Sequence, residues 1–560
     1  MMRWVLLALL LEIGAAHAQA PQVTATPCYQ GAACTIVGGN VPAQVPTNAA
    51  LKALAAGGYS VVYRAGFSAA GDGGAMTYVW SSSACSLNSG AGDNGSQVAP
   101  NSGTGCWLAA APEPYSVLIF GADKTGASSS TAAVQAALGS GATAIYFPPG
   151  TYQVCGVVVP STSHLVIYGN GVASQLVQPS GCSSPIFSWS QTAIAYTEGY
   201  IRDLLLDGTS GAADLIDTRG VGGITLQNLY VNNIPTGKDA ILIDGAASTY
   251  THDDRILNLQ VYSNTAGNSA VRFGPYSSDD ELSNLIMNGN FDVAYAVYMD
   301  SGATTMKMSN SHPYNVTTNI VYSAGGASNL LFSNNTFDNA QGDLVALTGT
   351  TLSTFTHNLF EAIPASRSGA ALASTNAVSF VNNQFSASSG AAAAVTETGT
   401  ANNTTVTGGN VGAVANYTAP FAFVGSQSYA TAVAGYNPLG IKTSFSGATQ
   451  SPQAQNTTEY LGVNGAQSAA VNTVWAAPQN LMLTTAVITA DQTPAAGQTF
   501  TFTVYDGSTV LGTATISNGS YSATLTLNKS VAAGDQIYIE SVFSATSGSA
   551  NVRYYCNFTG

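Results

Sequence analysis

Carboxylates are the side chains of this chain best suited to acid–base chemistry. The five histidines, His17, His164, His252, His312 and His357, are scattered. No Gly-x-Ser-x-Gly elbow or phosphate-cradling glycine motif stands in the right context. No Cys-x-x-Cys or His/Cys spacing suggests zinc, so no metal site is assigned. Acids, by contrast, recur at repeated positions. Asp244 and Asp300 fall in one column of a repeated strand with Gly274 between them, and Arg272, Tyr298 and Tyr322 fill the neighbouring column. Rungs about 4.8 Å apart would put Asp244 and Asp300 roughly 10 Å apart at the backbone, within side-chain reach of an inverting carboxylate pair. Arg272 would then hold a hydroxyl or carboxylate, and the tyrosines would offer faces to a sugar. The plainer alternative is that Asp244-Gly245 and Asp300 simply start turns.

A second group comprises Asp292, Asp338 and Glu361, with Pro313 on the intervening rung. Neighbouring rungs would place Asp338 and Glu361 roughly 5 Å apart, which suits two carboxylates with divergent pKa values; the alternative is a solvated loop edge. Asp292 would contact substrate there. Asp253-Asp254-Arg255 and Asp279-Asp280-Glu281 form a third set on consecutive rungs. They read as solvated, salt-bridged turns, or as oxygen ligands for Ca²⁺.

The elements that position these acids repeat. Aligned segments are Asn284–Phe291, Thr305–His312, Leu330–Phe337, Ser353–Phe360, Val378–Phe385 and Thr404–Val411, whose last members step by 21 to 26 residues. Such a period in Gly/Asn/Ser-rich β-sequence indicates a solenoid. One column holds Gly289, Asn310, Asn335, Asn358, Asn383 and Gly409, expected to bond from rung to rung. The last column, Phe291, His312, Phe337, Phe360, Phe385 and Val411, is expected inside the coil, with His312 as a core histidine. Each rung carries a further strand, as in Ala240-Ile-Leu-Ile-Asp244. Alternation turns Ile241 and Ile243 inward and Leu242 and Asp244 outward.

Val117–Val154 reads as strand, Gly turn, helix, strand and turn. Val117–Phe120 is an apolar run stopped by Gly121, Thr131 suits the N-cap of Ala132–Leu138, and Pro148-Pro149-Gly150 turns the chain into Thr151–Val154. Phe120-Gly121-Ala122, Thr131–Ala137 and Pro148–Tyr152 resemble the opening of right-handed parallel β-helix proteins of the pectate lyase superfamily, which includes polygalacturonases and phage tailspikes. Ser128-Ser129-Ser130 stands where that family often has acids, which weakens helix capping. Ala49–Trp107, with Gly71-Asp72-Gly73-Gly74 and Gly105-Cys106-Trp107, resembles the small domain preceding the β-helix in tailspike-like depolymerases, although Cys106 replaces the usual Arg. The resemblance implies a polysaccharide substrate. Polygalacturonases pair their acids with Gly-His-Gly and Arg-x-Lys, neither of which occurs here. Superfamily lyases use an Arg or Lys base with acidic Ca²⁺ ligands, a pattern Arg272 beside Asp244 and Asp300 could also satisfy.

Met1–Ala18 has the Arg3 start, apolar core and Ala16-His17-Ala18 site of a secretory signal. Export to a secreted or periplasmic location favours disulfides: Cys28–Cys34 and Cys85–Cys106 are expected, then Cys155–Cys182, with Cys556 left over. A net charge of −14 argues against nucleic acid and disfavours a strongly anionic polymer. No stretch after the signal suits membrane insertion.

From about residue 426 the pattern changes, and Asn480–Phe558 offers alternating strands joined at Asp506-Gly507 and Asn518-Gly519. The expected organisation is all-β: signal 1–18, small N-terminal domain 19–113, right-handed parallel β-helix 114–425, linker 426–460, and an antiparallel β-sandwich 461–560 for trimerisation or carbohydrate binding. A homotrimer follows from the tailspike resemblance. The expected function is a glycoside hydrolase with no cofactor. A Ca²⁺-dependent polysaccharide lyase and a non-catalytic glycan-binding adhesin are the alternatives.

Overall fold

The computed structural model describes residues 43–434, apart from 112, 190–194, 246–249 and 432, and then separate strands between residues 444 and 559. The signal segment and the expected Cys28–Cys34 pair lie outside the described residues.

Three short strands and their turns make one coil, as in Lys307–Ser309, His312–Val316 and Asn319–Ser323. Each strand pairs in parallel with its equivalents in the coils before and after, so Lys307 lies between Glu281 and Leu331, and Tyr322 between Tyr298 and Ala346. Alternation gives each strand an inward apolar set. Phe332, Phe355 and Phe380 stack with centroids 4.5 and 4.8 Å apart, and Phe360 stacks on Phe385 at 4.6 Å.

The bend between the first two strands carries the asparagine ladder. Asn335 N and Nδ2 both donate to Asn358 Oδ1, and Asn358 N and Nδ2 both donate to Asn383 Oδ1, at 2.8–3.0 Å. These buried amides satisfy backbone groups that the bend would otherwise orphan. Two expected columns slip in the earlier rungs, by one residue in Thr305–His312 and by four in Asn284–Phe291. The bend is entered by a left-handed residue, Asn284, Asn310, Asn334, His357 or Asn382, each with φ between 52 and 58°. The inward side chain comes three positions later. It is therefore Met287 and then Pro313, in register with one another, that precede Phe337 in the core, and not Phe291 and His312. His312 points outward with its side chain 49% exposed, and Phe291 sits in a turn at φ 57°. Ser311, not Asn310, continues the ladder: its Oγ accepts from Leu285 N at 2.9 Å, and its own N–H donates to Asn335 Oδ1 at 3.0 Å. Gly289 falls outside the ladder.

The acidic runs are not wholly solvated. Asp253 and Asp279 occupy left-handed turn positions, which turns the following Asp254 and Asp280 inward, each 1% exposed. Asp254 Oδ1 accepts from Ile224 N at 2.8 Å, its Oδ2 accepts from Thr251 Oγ1 at 2.8 Å, and its own N–H donates to Asp280 Oδ1 at 3.1 Å. Burial pushes the Asp254 carboxyl up to about 7 and raises that of Asp280 well above the usual range.

At the start of the coil, Val117–Phe120 is a 3-10 turn and not a strand. All four of its side chains are buried, and Gly121 ends it in the left-handed region at φ 96°. The helix Thr131–Leu138 packs on it through Val134, Ala137 and Leu138. Ser130, rather than Thr131, is the N-cap residue, and its side chain makes no capping bond. Before the coil lies a small antiparallel sheet containing Val61–Arg64, Met76–Ser81 and Cys106–Ala109. Its buried Arg64 donates to Asn48 Oδ1, Gly74 O and Ile119 O, fastening the sheet to the first coil. The expected Cys85–Cys106 and Cys155–Cys182 disulfides are present. Parallel stacking continues through Tyr429–Thr431, past the expected limit at 425. The C-terminal strands, including Thr499–Asp506, Thr509–Ser517 and Gln536–Ser544, pair antiparallel. Among the described residues no helix is long and apolar enough to cross a membrane.

Candidate functional site

One sheet of the coil is built from eleven parallel strands, and its outer face gathers most of the predicted residues. Register places Asp217, Leu242, Arg272, Tyr298, Tyr322, Ala346 and Ala371 in a single column. Asp244, Gly274 and Asp300 follow two positions later on their rungs, as expected from alternation. Leu242 lies in the outward column, but its neighbours cover it.

Arg272 is the hub. Its Nε donates to Asp300 Oδ2 at 2.8 Å and its Nη2 to Asp300 Oδ1 at 3.1 Å. Its Nη1 lies 3.6 Å from Asp239 Oδ2, and its guanidinium sits 5.2 Å from the centre of the Tyr298 ring. The Asp300 pairing raises the Arg272 pKa further above its ordinary value. A fork-on-carboxylate pair of this kind fixes both partners in orientation.

Asp239 and its neighbours were not singled out in the sequence. Asp239 is buried, accepts from Asn268 Nδ2 and Ser269 Oγ, both at 2.6 Å, and has its pKa raised by burial. On the rung before, Asp214 Oδ1 accepts the Asp239 N–H at 2.9 Å, and Asp217 holds Arg219 through its Nε and Nη2. The signal for them lay in the shared pattern of Asp214-Leu-Ile and Asp239-Ala-Ile, each an acid followed by apolar residues that turn inward. The alignment began only at Ala240.

Asp244 Oδ1 accepts from Gly245 N at 2.8 Å and from Tyr276 N at 2.9 Å. Burial raises its pKa, the negative charge of Asp300 adds to the rise, and the backbone bonds oppose it. Gly274 makes this placement possible. A Cβ there would lie 2.2 Å from Asp244 Cγ, so the glycine leaves the space into which the carboxylate leans. The face thus holds an acid whose pKa is raised, Asp244, and a guanidinium-fixed carboxylate, Asp300, two rungs apart.

The tyrosines form one aromatic group. Tyr298 and Tyr322 have centroids 5.2 Å apart, and Tyr295, a residue the sequence reading passed over, lies 4.9 Å from Tyr322 and 5.2 Å from Tyr298.

The second predicted cluster is on the outer face of another sheet. Asp338 and Glu361 are register partners there, as expected. Tyr314, not Pro313, occupies their column on the preceding rung, because the inward position falls on Pro313. Asp292 does not join them; it lies beyond the next turn, near Asn290 Nδ2. His312 Nε2 approaches Asp338 Oδ2 at 3.6 Å. Among the described residues no group of three or more His, Cys, Asp or Glu is placed to hold a metal ion.

Residues 115–181 match a family model described as rhamnogalacturonase A/epimerase, pectate lyase-like. No curated protein matches the chain. Solved structures with similar folds include a capsular polysaccharide depolymerase tailspike of the Acinetobacter baumannii bacteriophage Fri1, at 14% identity over 91% of this chain and 100% of that one, with a TM-score of 0.47. The A-module of an Azotobacter vinelandii mannuronan C-5 epimerase is 15% identical over 58% of this chain and 100% of its own, with a TM-score of 0.44. The Streptococcus pneumoniae surface protein and adhesin PfbA is 14% identical over 57% and 96%, with a TM-score of 0.43. The stacked coils make this chain a parallel β-helix protein, and its opening coils are similar to the pectate-lyase-like family model.

Proposed function

We propose that the protein is an exported polysaccharide hydrolase whose reaction centre is the Asp244–Arg272–Asp300 face. The observation that carries this reading is the joining of two features on one sheet. Acids in two different electrostatic settings, Asp244 and Asp300, lie two rungs apart on the outer face, with the three-tyrosine group on the rung of Asp300 and the one above it. Asp244 keeps its proton to higher pH and acts as general acid towards the glycosidic oxygen. Asp300, oriented by Arg272, acts as the base that activates water. Asp239 braces the far side of the guanidinium, and Tyr295, Tyr298 and Tyr322 bind sugar. The rhamnogalacturonase/epimerase description of the matching family supports a glycan substrate, and the two disulfides suit an oxidising compartment.

The lyase reading needs Arg272 as a free base. Its engagement by Asp300 and Asp239 speaks against that role, since both carboxylates favour the charged guanidinium. Incubation with a panel of polysaccharides tests the proposal. New reducing ends without ultraviolet-absorbing products support hydrolysis. Absorbing products indicate elimination, and binding without either product indicates an adhesin.

A further inference from the structure

The central column of the tyrosine face changes abruptly in height. Going up the coil it reads Arg272, Tyr298, Tyr322, and then Ala346, Ala371 and Thr396. Large rings give way to methyl groups between two adjacent rungs. Tyr298 and Tyr295 pack around one side of the Tyr322 ring. Its other side faces Ala346, which cannot reach far enough to cover it. In the column two residues on, the same rungs carry only Thr348 and Ala373. Ala346, Ala371 and Thr396 are half-exposed, and their strands are held from below by the buried Val345, Ala370 and Val395. The result is a shelf: an aromatic wall, a flat floor of small side chains, and a rigid sheet beneath. Rungs about 4.8 Å apart make the floor from Ala346 through Ala371 to Thr396 roughly 10 Å long, enough for one hexose ring lying flat.

The outward columns of the shelf carry no charged side chain. The fixed cations of this face, Arg219 and Arg272, lie on lower rungs and are engaged by Asp217 and Asp300. The ionic group bordering the shelf on the rung of Ala346 is another acid, Asp343, whose Oδ1 accepts from Ser368 N at 2.6 Å. On the rung of Ala371, Arg367 stands exposed one residue before Ser368, so an acid and a guanidinium both border the floor. A pyranose ring would stack its apolar face on Tyr322 and turn its hydroxyls to water, Thr348 and Thr396.

We propose that this shelf is a glycan subsite, its floor two to three rungs above Asp300, that takes a pyranosyl unit against Tyr322. The inference rests on the hydrolase reading and extends it by giving the direction in which the chain runs along the coil.

The test is to fill the shelf. Ala346→Phe and Ala371→Phe add bulk at outward positions, so the core is untouched and the melting temperature should stay near that of the wild type. Kinetics are measured on the polysaccharide identified by the panel and on its shortest cleaved fragment. Each variant is expected to raise KM for the polymer by about tenfold or more, with kcat falling much less, as loss of one ring's contacts would. Tyr322→Ala, which removes the wall without adding bulk, should raise the same KM and keeps the test valid if a filled variant fails to fold. Unchanged polymer KM in folded variants overturns the subsite. Failure of the wild type to cleave or bind any member of the panel removes the hydrolase reading itself, an outcome distinct from an active enzyme indifferent to the shelf.

Discussion

Asp280→Asn should make the protein less sensitive to rising pH. In the wild type Asp280 Oδ1 accepts the Asp254 N–H, while Oδ2 is buried without a hydrogen-bond partner. A buried carboxylate oxygen with no donor favours the protonated acid. Asp254, stacked on the preceding rung, is desolvated as well; the nearby His252 lowers its pKa and Asp253 raises it. Asp254 and Asp279 both push Asp280 upward. The sign follows from the raised folded values. Between the ordinary carboxylate range, near 4, and about 7, the native state holds more protons than the unfolded chain. The stabilisation is therefore complete below about pH 4 and is lost as pH rises through 7. A rise of about 3 units for Asp254 alone corresponds to about 4 kcal/mol at most. In Asp280→Asn the side-chain oxygen still accepts the Asp254 N–H, but the second ionisable carboxyl is gone and Asp254 no longer faces it. The amide Nδ2 is left to find a partner, at a cost of about 1–3 kcal/mol that does not vary with pH. The slope and not the absolute stability is thus the readout. Denaturant unfolding at intervals from pH 5 to 8 should show the wild type losing measurably more stability than the variant loses. Parallel stability–pH curves for the two proteins would refute the reasoning.

Asp244→Asn and Asp300→Asn should each lower turnover on the identified substrate by roughly 10²–10⁴-fold, measured by reducing-end release, whereas Asp338→Asn and Glu361→Gln should leave it near that of the wild type. Gly274→Ala should also lower activity, because its Cβ would displace the Asp244 carboxylate; crystal structures of the variant and wild type would show whether Asp244 moves. Asn358→Ala should cost several kcal/mol, at about 1–3 kcal/mol for each buried partner it orphans, Phe332 O and Asn335 N among them. Calorimetry showing a melting temperature equal to that of the wild type would contradict the ladder's role.

Where side chains pack inward, the sequence was informative. A strand in a coil must turn apolar residues in at every second position, so Phe337, Phe360 and Phe385 repeat visibly, and Asn335, Asn358 and Asn383 repeat because the bend demands a side-chain amide. The reading slipped where the motif was aligned on its aromatic end rather than on the left-handed residue that fixes the bend. Asn310 and Asn334 are equivalent by backbone conformation, and counting from them puts Pro313 inside and His312 outside. A proline in the core column carries no aromatic signal, so the neighbouring His312 took its place. The same slip drew Pro313 into the outward acid column, which in fact holds Tyr314. Asp254 and Asp280 were misjudged for a related reason. Charged turn residues are usually solvated, but here the left-handed Asp253 and Asp279 rotate the next side chain into the coil.

The outer face obeys a weaker rule, and this is why the site was only half legible. Core packing fixes the identity of Val271, Val297 and Val321 but leaves the intervening Arg272, Tyr298 and Tyr322 free to vary. Periodicity can say that these residues share a column; it cannot say which of them touch. Arg272 and Tyr298 lie in the same column, yet the strongest bonds of Arg272 run diagonally, to Asp300 on the next rung and towards Asp239 on the rung before. Each diagonal links residues two or three positions out of register, so no column reveals it. The solenoid therefore separates two tasks that most folds mix. Its inward positions build a sheet rigid enough to hold a guanidinium between two acids. Its outward positions, unconstrained by that sheet, can change from ring to methyl within one rung and so set where a glycan is gripped.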